Sequence, residues 1–248
     1  MTNIVESIQI NLSSKYATLN NNLTSDCKFY LNNTLEIPSQ HYIFISLTSC
    51  NIPYSFYNIN SSNNILNYTI NNISYSLVVT QGNYNALNLV SYLNSNLQTG
   101  FTCSYNSITN KITFKHNTYE FTLNNTGVTI LDALGFKNNL NSSNKTLISD
   151  LVLNLQTIQT IYMMTNLSVG NICICNLNKT NILASIPITT GPNTNILYIN
   201  QNGFKNNLYS NIINEIHLKL VDENHKAIDL NYLHWSCTLQ LDIHDFSQ

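Results

Sequence analysis

Charge is what this sequence has least of. Charged residues make up 9% of the 248 residues, against roughly 25% in an ordinary soluble domain. Arginine is absent, so all ten basic residues are lysines, and the formal net charge is −2. The lysines are scattered singly, which argues against a nucleic-acid partner, because such proteins neutralise phosphates with clustered Lys and Arg. A surface so poor in charge is also weakly protected against association. That character suits a protein working inside an assembly.

Other absences narrow the field further. No window approaches eighteen uninterrupted apolar residues, so no membrane span is expected. The opening "MTNIVESIQINLSSKY" has neither the basic start nor the apolar run of a secretion signal. Sequons such as Asn22-Leu23-Thr24, Asn67-Tyr68-Thr69 and Asn166-Leu167-Ser168 are then by-products of a chain rich in Asn, Ser and Thr. The glut of Asn, Ile, Tyr and Lys has the look of an AT-rich genome. No glycine-rich phosphate loop, His-Glu-x-x-His or Gly-x-Ser-x-Gly is present. Cys27, Cys50, Cys103, Cys173, Cys175 and Cys237 form no CxxC pair and no regular framework. They read as free, buried thiols of a reducing compartment, with Cys173 and Cys175 on one face of a strand over 172–177.

What is present is period-two alternation. Strands are expected over 7–14, 27–33 and 41–50, with Pro38 breaking the pattern before the third. "NIPYSFYNIN" (51–60) reads as a structured turn, its Tyr54, Phe56 and Tyr57 more suited to packing than to stacking on a sugar or base. A different texture follows. A hairpin turns at Asn71-Asn72 and exits at Gly82. Leu87, Val90, Leu93 and Leu97 then give a helical stripe over 83–97. Strands over 101–105, 111–116 and 119–123 come next, then a short helix over 129–136 closed by Gly135. Residues 63–138 therefore read as a small α+β unit, and 137–149 as a polar tether out of it.

Strand texture returns over 153–164, 172–177, 181–189, 195–200, 213–221 and 235–243. The fold class is mainly β: an antiparallel two-sheet β-sandwich of the jelly-roll kind, residues 1–62 and 139–248, with 63–138 inserted in a loop. Two separate β domains are the alternative, because strand counting does not assign topology.

The stretch "HLKLVDENHKAIDLNYLHWSCTLQLDI" (217–243) holds three of the six histidines and the only tryptophan. An enzyme reading would recruit Asp222, Glu223, His225, Asp229, His234 and Cys237, whose donors would have to converge. The alternation says otherwise. Ile216, Leu218 and Leu220 share one face of a strand, and Trp235, Cys237, Leu239, Leu241 and Ile243 one face of another. The acids between them fall at a turn, where short polar side chains are favoured. Asp132 and Asp150 stand alone, and His41 and His116 have no acidic neighbour in sequence. No catalytic residue, metal ligand or cofactor is expected.

The same segment resembles the end of penton and minor capsid proteins of virophages, polinton-like viruses and related large DNA viruses. The likeness rests on Asp222, Glu223, Ile228, Asp229, Leu230, Asn231, Trp235 and Ser236. "SLTSCNIPYSFYNIN" (46–60) and "TQGNYNALNLVSYLNSNL" (80–97) are similar to segments further upstream in such proteins. Tyr232 departs from the pattern, standing where a glycine often follows the Asn. The resemblance implies a single jelly roll forming a homopentamer at icosahedral vertices of a virion, made in the host cell without secretion. Its partners would be itself and the major capsid protein, with the insertion projecting outward or clasping neighbours. Cyclic closure would make each self-contact heterologous, and Asn and Thr would satisfy hydrogen bonds across the seams without the desolvation cost of charges. The alternatives are an attachment or fibre protein, whose 63–138 unit binds a host receptor or glycan, and a hydrolase on a β-sandwich.

Overall fold

The computed structural model describes residues 4–38, 41–138, 140–167 and 181–245. In chain order the elements begin with β1 (Ile4–Ser13), β2 (Thr18–Asn20), β3 (Leu23–Glu36) and β4 (His41–Pro53). Then come β5 (Ile65–Ile70), β6 (Ile73–Val78), helix α1 (Ala86–Asn96), β7 (Phe101–Asn106), β8 (Lys111–His116), β9 (Phe121–Asn124), helix α2 (Leu131–Leu134) and β10 (Thr146–Ile148). The last group is β11 (Thr160–Thr165), β12 (Ile182–Pro187), β13 (Asn195–Ile199), β14 (Asn206–Leu208), β15 (Ile212–Val221) and β16 (Ser236–Asp245). The strand expected over 172–177, with Cys173 and Cys175, lies outside the described residues.

The chain divides into two compact units, Met1–Phe56 with Ile158–Gln248, and Tyr57–Thr157. In the first, one antiparallel sheet runs β1-β16-β4-β13, with β14 also pairing on β4, and the other runs β12-β11-β15-β3-β2. Setting aside the short β2 and β14, eight strands remain among the described residues and their pairs nest. The first lies beside the last (β1·β16), the second beside the seventh (β3·β15), the third beside the sixth (β4·β13) and the fourth beside the fifth (β11·β12). This long hairpin folded back across two sheets is a jelly roll. Between the sheets, Ile45, Leu47, Ile52, Ile161, Met163, Ile216, Leu218, Leu220, Leu239 and Leu241 form one buried core.

The second unit holds two three-stranded sheets, β6-β5-β9 and β10-β8-β7, and both helices. Its own core includes Leu66, Leu89, Leu93, Phe101, Phe114, Leu134 and Phe136. Residues 57–62 and 140–157, assigned to the sandwich on sequence, pack in this unit. Ile59 and Leu147 are buried in its core, with Leu140, Leu153 and Leu155 against it, and β10 pairs with β8. The alternation over 153–157 that reads as the start of a strand is therefore extended chain lying on a core, and β11 begins only at Thr160. The helical stripe is also rotated: α1 buries Leu89 and Leu93, while Leu87 is 70% exposed. Asn85 caps the helix, its side chain accepting from Asn88 N at 2.8 Å.

Asparagine does the turn work that glycine does elsewhere. Eight of the eleven non-glycine residues with positive φ among the described residues are Asn, the non-glycine type that best tolerates that conformation. The β5–β6 hairpin turns on Asn71 (φ 49°) and Asn72 (φ 62°), and β2–β3 on Asn21 and Asn22, two-residue turns that match strand twist.

Candidate functional site

The acids of 222–229 are committed to holding the backbone. Asp222 Oδ1 accepts from the amides of Asn224 and Lys226, both at 2.9 Å, and Asp229 Oδ1 from Asn231 at 2.8 Å. Glu223 Oε1 reaches out to the amides of Gln159 and Thr160 at 2.8 and 2.9 Å, pinning the entry to β11. His234 Nδ1 meets the hydroxyl of Ser14 at 3.2 Å. His225 sits on the turn at φ 60°. These groups do not converge, and among the described residues no cluster of three or more His, Cys, Asp or Glu could hold a metal ion. No helix of the described residues is long and apolar enough to cross a membrane.

Trp235 anchors the segment. It is 2% exposed, meets Phe29 edge-on at 6.4 Å, and its indole N–H donates to the Thr24 carbonyl at 2.6 Å. Cys237, Leu239, Leu241 and Ile243 follow it into the core. Burial, with the nearby Cys27, pushes the Cys237 thiol up to about 12. Burial likewise pushes Cys27 and Cys103 up to about 12 and raises Cys50 well above the usual thiol range. Such thiols are protonated and poor nucleophiles. Tyr232 has φ 63° and Asn231 φ 49°, so the tyrosine occupies a left-handed position that favours glycine.

Polar chemistry that sequence reading missed lies on the outward faces of the sandwich. On the β16 sheet, Asp242 forms an ion pair with Lys205 Nζ at 2.6 Å and accepts from Gln240 Nε2 at 2.8 Å and from the Ser7 hydroxyl, with its side chain only 1% exposed. Burial works to raise its pKa, but the bonds from Lys205, Ser7 and Gln240 and the lysine charge hold it below the usual carboxylate range. His41, without an acid nearby in sequence, pairs with Asp245 at 2.9 Å because β4 and β16 bring those positions into register. His244 is buried edge-on against Phe44. The outward face of β16 is therefore closed over at Asp242 and His244. On the β15 sheet, His217 Nε2 meets Asp26 Oδ1 at 2.5 Å, Lys219 approaches the same carboxylate at 3.7 Å, and Lys28 lies 3.8 Å from Glu215. Asp150, solitary in sequence, accepts from the amides of Lys137 and Asn138.

Apolar side chains are also exposed on the sandwich. Leu197 and Ile199 of β13 are each 66% exposed, and Tyr30, Tyr209 and Ile212 are exposed as well. Among the described residues, β1 and β13 end their sheet, each with an unpaired edge. A cleft of about 880 Å³ opens between strands of both sheets, lined by Leu12, Phe29, Leu31, Cys50, Tyr198 and Cys237 among others, with no charged side chain. Tyr54 and Phe56 stack at 4.3 Å inside the core, so those aromatics pack the sandwich.

No family model and no curated protein matches the chain. Among solved structures, its fold is similar to the crystal structure of the mavirus penton protein, with 13% sequence identity and a TM-score of 0.54. That likeness spans 96% of this chain and 99% of the other, so it takes in both compact units.

Proposed function

We propose that the chain is a structural capsid protein, the penton at icosahedral vertices, assembling with itself as a pentamer and with the major capsid protein. The observation that carries this reading is the fold likeness to a penton protein over nearly the whole of both chains, insertion included. The surfaces support it. Unpaired edges at β1 and β13 lie on opposite sides of one sheet, so a contact between them joins different surfaces of successive copies, the heterologous contact from which rings close. β13 carries no charged residue or proline to blunt its edge, and β1 carries only Glu6, at an irregularity near its start, among the devices that keep edges apart in monomers. The acids and histidines of 222–234 serve as turn and brace, which fits a non-catalytic role.

The test is assembly. Purified chain examined by light scattering and electron microscopy should form five-fold rings and co-sediment with virions. Strictly monomeric protein at high concentration that never associates with particles refutes the reading.

A further inference from the structure

The second unit carries a surface that the capsid reading does not use. On the β6-β5-β9 sheet, Asn67 pairs with Ser76 and Asn124, and Thr69 with Ser74 and Thr122. Their neighbours along the strands, Leu66, Tyr68, Ile70, Phe121 and Leu123, are buried on the opposite side. The outward face is thus a raft of hydroxyls and carboxamides three strands wide, with the apolar pair Ile65 and Val78 at one end of it. Two adjoining grooves of about 770 and 380 Å³ lie along it and share Thr122 and Asn141. No charged side chain lines the larger. The smaller adds Glu120 and Tyr119, whose side chain is 46% exposed.

Part of the face is internally braced. Asn124 Nδ2 donates to Thr69 at 3.0 Å, Thr69 and Ser74 hydroxyls meet at 3.3 Å, and Thr122 donates to Asn141 at 2.8 Å. These bonds fix side-chain directions ahead of any ligand. Asn67, Ser76, Asn125 and Thr126 line the larger groove with side chains that make no hydrogen bond to other described groups. Neutral donors and acceptors along a trough, with an exposed ring at one end, suit an uncharged sugar. Carboxamides offer paired bonds to vicinal hydroxyls, and an aromatic face takes the apolar side of a pyranose. Nucleic acid and acidic glycans need cations, and the charged side chain here is a carboxylate. A protein partner of ordinary affinity needs an apolar centre, which this face lacks.

We propose that the β6-β5-β9 face of the second unit binds an uncharged oligosaccharide, with Asn67, Ser76, Asn124 and Asn125 supplying hydrogen bonds and Tyr119 a stacking ring. The proposal is independent of the capsid reading, since sugar binding is read on the isolated chain and assembly on particles. The whole chain, made in bacteria so that the Asn67-Tyr68-Thr69 sequon stays bare, is applied to immobilised glucan, mannan, xylan and galactan oligosaccharides beside sialylated and sulfated ones. Binding to at least one uncharged series is expected. Asn67→Ala and Asn125→Ala should each weaken it about tenfold, and Ser76→Arg, which fills the trough, should abolish it, with unfolding temperatures unchanged. Silence across the array overturns the proposal, as does preference for charged glycans or binding that survives all three substitutions in folded protein. If the face docks a second copy instead, the array stays silent and Ser76→Arg lowers the oligomer mass, which also overturns it.

Discussion

Replacing Lys205 with methionine should expose how the sandwich tolerates a buried carboxylate. Asp242 is 1% exposed at its side chain and would keep only Ser7 and Gln240 as donors after losing the ammonium at 2.6 Å. Breaking a fully buried pair costs about 3–5 kcal/mol. Lys205 is itself 34% exposed, so water already screens the pair, and about 2 kcal/mol is the expected loss at pH 7. In the wild-type chain the folded pKa of Asp242 lies below its unfolded value. The stability it contributes is therefore present above the unfolded pKa and is lost as pH falls through the folded one. In Lys205→Met the cation no longer opposes burial, so the carboxyl takes up a proton more readily in the folded state. The deficit should be full at neutral pH and shrink below about pH 4. Denaturant titrations at pH 7 and pH 3 read this through Trp235, the sole tryptophan, which is buried in the sandwich core. Asp242→Asn combined with Lys205→Met should recover most of the loss. An equal deficit at both pH values, or a double variant as unstable as the two single losses added, refutes the reasoning.

Gly135→Ala should destabilise the second unit by more than about 2 kcal/mol, because φ is 83° and an added Cβ would sit 2.4 Å from the Leu151 carbonyl oxygen; calorimetry checks it. Tyr232→Gly removes a side chain from a φ of 63° at an exposed position, so relief of about 1 kcal/mol should offset the added chain entropy and leave the melting temperature level or higher. Cys27, Cys50, Cys103 and Cys237 should resist iodoacetamide at pH 8 in the native protein and react after unfolding, since burial holds all four thiols protonated; peptide mapping follows each one separately.

Much of the architecture is written locally. The strand over 111–116 matches β8 residue for residue, and the turn at Asn71-Asn72 sits where alternation is interrupted by two residues that tolerate positive φ. Trp235 and its alternate neighbours are buried as the period-two pattern requires. The misreadings share a cause. Leu87 falls on a helical spacing but is exposed, because three- and four-residue steps fit more than one stripe and only the partner surface selects Leu89 and Leu93. The apolar alternation of 153–157 was indistinguishable from a strand, since extended chain on a core and a hydrogen-bonded strand bury the same residues.

The sequence by itself determined the local grammar of this protein: where the backbone extends, where it turns, and which side of each strand is apolar. These follow from side-chain period and backbone preference over a few residues. Tertiary structure alone decided the nesting of the strands, which stretches of chain join which unit, and the fate of scattered charges. Ser7 and Asp242 are 235 positions apart, and His41 meets Asp245 only through the β4–β16 register. No local pattern encodes such meetings, because the free energy that fixes them comes from burying whole strand faces against each other.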